Sequence, residues 1–178
     1  MTKMRLIRIS FFSLILVITM SCKKYEQFPP EPVLEFTDFI LLRDTAGIDQ
    51  RGILKFSYTD GDGNIGLYDY DTLPPYDYNL FIKYFEQQKG VFKEIFLITP
   101  NYINDTTIEY DTATFNSRIP ILTPAGKNKA IRGEVEDTLF VNNPLSKYDT
   151  IKFEIYVVDR DLNKSNVIST PPIVVKKR

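Results

Sequence analysis

The sequence predicts an all-β fold, an antiparallel β-sandwich of about seven strands, and three observations predict it. Several short runs alternate apolar and polar residues with period two, as half-buried strands require. Each run is bounded by clusters of Gly, Pro, Asp or Asn, the residues that turn a chain. No segment combines helical spacing with caps, and β-branched and aromatic side chains dominate the apolar set.

The elements follow in order. Residues 34–42 form the first candidate strand. Residues 52–58 place Leu54, Phe56 and Tyr58 on one face against Lys55 and Ser57, and residues 78–85 place Leu80, Ile82 and Tyr84 opposite Phe81, Lys83 and Phe85. Residues 86–90 read as a hairpin turn leading into 92–98, and 130–136 is the next run. The clearest alternation is 150–159, with Ile151, Phe153, Ile155 and Val157 on one face and Lys152, Glu154 and Tyr156 on the other. The last run, 167–175, is interrupted by Pro171-Pro172, whose missing N–H groups suit only an edge strand.

Ahead of these runs, residues 1–8 carry Lys3, Arg5 and Arg8 without an acid. Residues 9–20 are apolar apart from Ser10, Ser13 and Thr19, and Ser21-Cys22 follows. That order is how a secretory signal peptide is built, and the apolar run falls short of the roughly 20 residues that span a bilayer. Because Cys22 is the only cysteine and stands where cleavage is expected, the segment resembles the lipobox of bacterial lipoproteins. The resemblance implies a mature chain beginning at a lipidated, acylated Cys22, and a membrane as partner through that anchor. The expected organisation is a signal peptide over 1–21, a lipidated cysteine with a Pro-rich tether over 22–32, and a β-sandwich over 33–178. With Pro29, Pro30 and Pro32, a tether of this kind reaches roughly 30 Å at about 3.1 Å per residue.

Composition then excludes whole classes of function. The mature 157 residues suffice for one domain with a hydrophobic core. They carry 19 basic and 23 acidic side chains, a formal charge of −4, so the basic footprint of a nucleic-acid binder is missing. With no histidine and a single cysteine, the chain cannot assemble a Ser-His-Asp or Cys-His nucleophile, a Cys/His zinc site or an internal disulfide. Carboxylate-only chemistry survives on residue type, but a short chain without tryptophan offers little of a deep sugar cleft. A non-enzyme is expected.

The ending, Phe153 to Asp159, then Arg160 to Asn166, then Val167 to Pro172, resembles the last hairpin of immunoglobulin-like and fibronectin-III-like domains of bacterial surface proteins. There a strand closing in Asp leads into a turn of the form Asp-x-Ala-Gly-Asn-x-Ser, and here Asp161-Leu162-Asn163 stands in the place of Ala-Gly-Asn. Together with the lipobox, the Pro-rich leader and the stretch Phe56 to Gly66, this is similar to a group of small Bacteroidota envelope lipoproteins whose role is largely unknown. The resemblance implies an immunoglobulin-like sandwich and an outer-membrane location.

Two loops and one tyrosine-rich segment are the candidate sites. Asp60, Asp62 and Asn64 have the one-three-five oxygen spacing of calcium loops, although Ile65 at position six and Asp71 at position twelve rule out an EF-hand. Asp159, Asp161 and Asn163 repeat the spacing. In an immunoglobulin-like sandwich the two loops leave the same end of the domain and could share one calcium ion. The alternative is a pair of turns capped by side-chain to backbone bonds. Tyr68, Tyr70, Tyr76 and Tyr78, interleaved with Asp69, Asp71, Asp77 and Pro74-Pro75, could present rings to a glycan or a protein, or cover the end of the core. The reading is a non-catalytic, lipid-anchored envelope module that binds or scaffolds an unknown envelope protein or glycan. Its alternative is a glycan-binding accessory lipoprotein that uses the tyrosines.

Overall fold

The computed structural model describes residues 27–104, 107–123 and 129–177. The signal segment and Cys22 lie outside the described residues. Among the described residues there is no helix. The strands are β1 (Val33–Arg43), β2 (Asp49–Asp60), β3 (Leu80–Gln88), β4 (Val91–Glu94), β5 (Leu97–Asn104), β6 (Thr107–Ala113), β7 (Ile131–Phe140), β8 (Thr150–Val157), β9 (Ile168–Ser169) and β10 (Ile173–Val174). One sheet has the order β1-β2-β7, and a second has β10-β8-β3-β4 with β9 also on β8; β5 and β6 form a separate hairpin. Every strand pair is antiparallel.

The core forms because the alternation seen in the sequence points the apolar faces of both sheets at each other. Leu54, Phe56 and Tyr58 of β2 are buried, as are Leu80, Ile82 and Tyr84 of β3 and Ile151, Phe153, Ile155 and Val157 of β8, all in one cluster. Phe39 of one sheet stacks on Phe153 of the other with ring centroids 5.5 Å apart. Its ring occupies the space where a side chain at position 52 would lie, so Gly52 is what admits it. In β1 the inward residues are Leu34 and Phe36, then Phe39 and Leu41, a break in period two that a bulge between Phe36 and Asp38 absorbs.

Four features differ from the strand pattern read in the sequence. The turn read over 86–90 is only Lys89-Gly90, because 86–88 continue β3 and pair with β4. The run 92–98 is divided between β4 and β5, and the β5–β6 hairpin was not expected at all. Pro100 and the polar residues around it hide a strand that pairs only with its own neighbour. The run 167–175 is two short pieces on either side of Pro171-Pro172, both on the outer edge of β8. Thr170 bridges the break: its N–H donates to the Phe153 carbonyl at 3.0 Å, and its hydroxyl accepts the Phe153 N–H at 3.0 Å.

The register defines two ends. At one, Asp60 closes β2 opposite Ile131 and Leu80 opens β3 opposite Val157; at the other, Asp49 opens β2 and Glu86 lies opposite Ile151. The chain enters β1 at the Asp60 end, where the Gly61 N–H donates to the Pro29 carbonyl at 2.8 Å. The proline-rich segment is therefore seated on the domain from Pro29 onward. Asn166 fastens the start of β1 to the opposite sheet, accepting from Leu34 N–H at 2.7 Å and donating to its carbonyl at 2.9 Å.

Candidate functional site

The two predicted loops do meet. Asn64 Nδ2 donates to Asp62 at 3.1 Å and, across to the loop after β8, to Asp161 at 2.9 Å. The Arg160 N–H donates to the Asn64 carbonyl at 3.3 Å. Six residues quoted from the sequence thus lie on one end of the sandwich, placed there by adjacent ends of β2 and β8.

The oxygens of Asp60, Asp62 and Asp159, however, are turned inward upon their own loops. Buried Asp60 accepts the N–H groups of Gly63 at 3.2 Å and Ile65 at 2.8 Å. Burial pushes its carboxyl up to about 6, and neighbouring Asp62 adds to the shift while the two N–H bonds oppose it. Asp159, also buried, accepts the N–H of Asn163 at 2.8 Å and its side-chain amide at 2.9 Å. These are the bonds of capped turns. The tightness of the second turn puts Leu162 at φ 65°, a left-handed conformation. That position corresponds to the glycine of the Ala-Gly-Asn turn it resembles. Among the described residues no group of three or more carboxylate, cysteine or histidine side chains is arranged to hold a metal. Asn64 Oδ1 is buried without a hydrogen-bond partner.

The tyrosine-rich segment, 67–79, is held by two arginines that the sequence reading passed over. Arg118 donates to the carbonyls of Tyr68 at 2.9 Å, Tyr76 at 3.1 Å and Asp77 at 2.7 Å, and also to that of Asp71. Arg160 pairs with Asp71 and lies 4.6 Å from the Tyr68 ring centre and 5.3 Å from that of Tyr76. The hydrogen bond from Arg160 holds the Asp71 carboxyl below the usual carboxylate range. Tyr76 donates to the Arg160 carbonyl at 3.1 Å, and Tyr68 stacks on Tyr70 at 5.0 Å. Tyr78 is half-buried, whereas Tyr70 and Leu73 are each 74% exposed. The signal in the sequence is Arg160 itself, a cation between Asp159 and Asp161 whose carboxylate partner comes from another loop.

A second candidate site has no counterpart in the sequence reading. A cleft of about 1060 Å³ runs from the Glu86 end along the flank, lined by Phe96, Leu97, Phe115, Leu139, Phe140 and Leu145 among others. Phe96 is 67% and Leu145 84% exposed. Buried Glu86 also lines it, accepting from the Tyr84 hydroxyl at 3.0 Å, Asn143 Nδ2 at 3.0 Å and the Ser146 hydroxyl at 2.6 Å. Burial, then Glu86, hold the Tyr84 phenol protonated far above its ordinary range. Lys177 seals this end by donating to the carbonyls of Asn143 at 3.3 Å and Ser146 at 3.2 Å. The cleft joins residues from the end of β3, from β5 and the two residues before it, from the segment after β6, and from β7 and the loop after it, so no contiguous motif announces it.

Compared with known proteins, the chain matches no protein-family model, no curated protein and no solved structure.

Proposed function

We propose that this protein is a non-catalytic cell-envelope lipoprotein of the outer membrane, anchored at Cys22. Its immunoglobulin-like domain binds or scaffolds an envelope protein through the cleft at the Glu86 end. The cleft is the observation that carries the reading. It has the size of a ligand or side-chain pocket, its walls are mostly apolar, and exposed Phe96 and Leu145 stand at its mouth. Exposed apolar groups gathered in one concavity favour an apolar partner segment. The strand order β1-β2-β7 facing β10-β8-β3-β4 supports the immunoglobulin-like reading, since it separates the sheets as such domains do. A non-catalytic role is supported by the saturation of the buried carboxylates: Asp60, Glu86 and Asp159 each accept from their own neighbours.

One observation favours a second reading, glycan binding at the tyrosines: Tyr68 and Tyr70 lie nearly parallel, 12° apart, with Tyr70 open to solvent. Affinity purification of the tagged, lipidated chain from its native membrane separates the two. A defined protein complex that is lost in Phe96→Ser/Leu145→Asp and kept in Tyr70→Ala supports the cleft. A glycan-array signal abolished by Tyr70→Ala and untouched by the cleft variant supports the tyrosines and overturns the cleft as the primary site.

A further inference from the structure

We infer that the tyrosine-rich loop is a second membrane contact. With the chain anchored at Cys22, the exposed tip around Tyr70, Leu73 and Pro74 enters the headgroup layer of a zwitterionic bilayer, and the apolar cleft is held away from it. This rests on the lipidation of Cys22 proposed above, and it adds an orientation that lipidation alone does not impose.

The length of chain before the domain carries the first step. Only the six residues 23–28 separate Cys22 from Pro29, which is already bonded to Gly61. Even fully extended, seven steps of chain span at most about 25 Å. The anchor therefore leaves from the Asp60 end and keeps that end near the lipid.

The tyrosine-rich loop belongs to the same end by an unbroken series of contacts. Pro29 bonds Gly61; Asn64, three residues on, bonds Asp161; and adjacent Arg160 pairs with Asp71 and covers Tyr68 and Tyr76. Arg118 bonds four carbonyls of the loop and holds its backbone on the domain, while the tip stays exposed. What the tip shows is a tyrosine and a leucine, each 74% exposed, beside the exposed pair Pro74-Pro75. An amphipathic ring next to an aliphatic side chain suits the headgroup boundary, where one end of the ring is apolar and the other wet.

Charge selects the kind of surface. Arg160 and Arg118 are spent on Asp71 and on carbonyls, whereas exposed Asp69 and Asp161 and half-buried Asp77 flank the tip or lie beside it. A zwitterionic layer accepts this loop; a strongly anionic one repels it.

The test uses the full lipidated chain in phosphatidylcholine–phosphatidylethanolamine vesicles. Cys22 is the only native cysteine, so once its sulfur carries the lipid, a cysteine introduced by Leu73→Cys or Leu145→Cys is the only thiol that takes a nitroxide label. The expected result is co-flotation of both labelled proteins. The label at 73 should collide several-fold more with oxygen, which concentrates in lipid, than with a water-soluble nickel chelate, relative to the label at 145. Co-flotation with both labels in water, or with the label at 145 the deeper, overturns the orientation and leaves the anchor standing. Two labels per chain and no flotation mean a free Cys22 thiol, which overturns the anchor and this inference with it.

Discussion

The two ends of the sandwich bury carboxylates in opposite ways. At the Asp60 end, Asp60 and Asp159 are each met by N–H groups within five residues of themselves. At the Glu86 end, one carboxylate gathers Asn143 and Ser146, which are 57 and 60 residues away, together with the Tyr84 hydroxyl. The first arrangement is local and survives if the loops separate; the second exists only when β3 and the loop after β7 are assembled. A polar group solved locally shapes a loop, whereas one solved across the fold pins the fold together.

The largest expected effect tests that contrast directly. Glu86→Ala removes the acceptor from three donors in a water-poor site and should cost about 3 kcal/mol. Asp159→Ala should cost only about 1 kcal/mol, since half-buried Asn163 can turn to water. Urea melts of both variants check this, and equal losses would break the distinction between the ends.

A pH profile sharpens it. The carboxyl of Asp60 is raised in the folded protein to about 6 from 3.8, so between these values the folded state holds more protons than the unfolded chain. Stability should therefore fall as pH rises from about 4 to about 6, by on the order of 2 kcal/mol, and level off above. Asp49 and Asp71 have lowered values and act in the other direction: their contribution is present above 3.8 and lost as pH falls further. Asp60→Asn should erase the loss between pH 4 and 6, and a variant that retains it would assign the effect elsewhere.

Arg118→Met tests whether the tyrosine loop is held from within. Amide exchange in 67–79 should quicken about tenfold, as for the loss of about 1.4 kcal/mol locally, with a smaller change in the global urea midpoint. Leu162→Gly works in the stabilising direction: relieving the left-handed leucine should add about 0.5–1 kcal/mol in a thermal melt.

The smallest expected effect is that of calcium. A site of about 10 μM affinity under a millimolar ion would add about 2.7 kcal/mol. Carboxylates already bonded to backbone N–H groups should instead leave the melt indifferent to calcium and chelator. A shift near the larger figure, abolished by Asp62→Ala and by Asp159→Ala, would make the paired loops a shared ion site rather than paired turns.

Much of the fold was legible because burial in a sheet obeys period two. Ile151, Phe153, Ile155 and Val157 could be placed on the inner face of β8 from spacing alone, and Pro171-Pro172 marked the edge beyond it. The pairing of the Asp60 and Asp159 loops was legible too, through the topology that the strand pattern suggested. The β5–β6 hairpin was not, because its pairing is satisfied within itself and it leaves no long alternating face.

By itself, then, the sequence determined the all-β class, the inward faces of the main strands, the residues that gather at the Asp60 end and the exclusion of histidine chemistry. These depend on residue type and near-neighbour spacing, which are written along the chain. Only the tertiary structure decided that Asp60 and Asp159 turn to their own backbones, that Arg118 and Arg160 hold the tyrosines, and that Glu86 lies beside an apolar cleft. Each of these depends on which of several competing donors lies within about 3 Å of a given oxygen, and the packing of distant strands sets that distance.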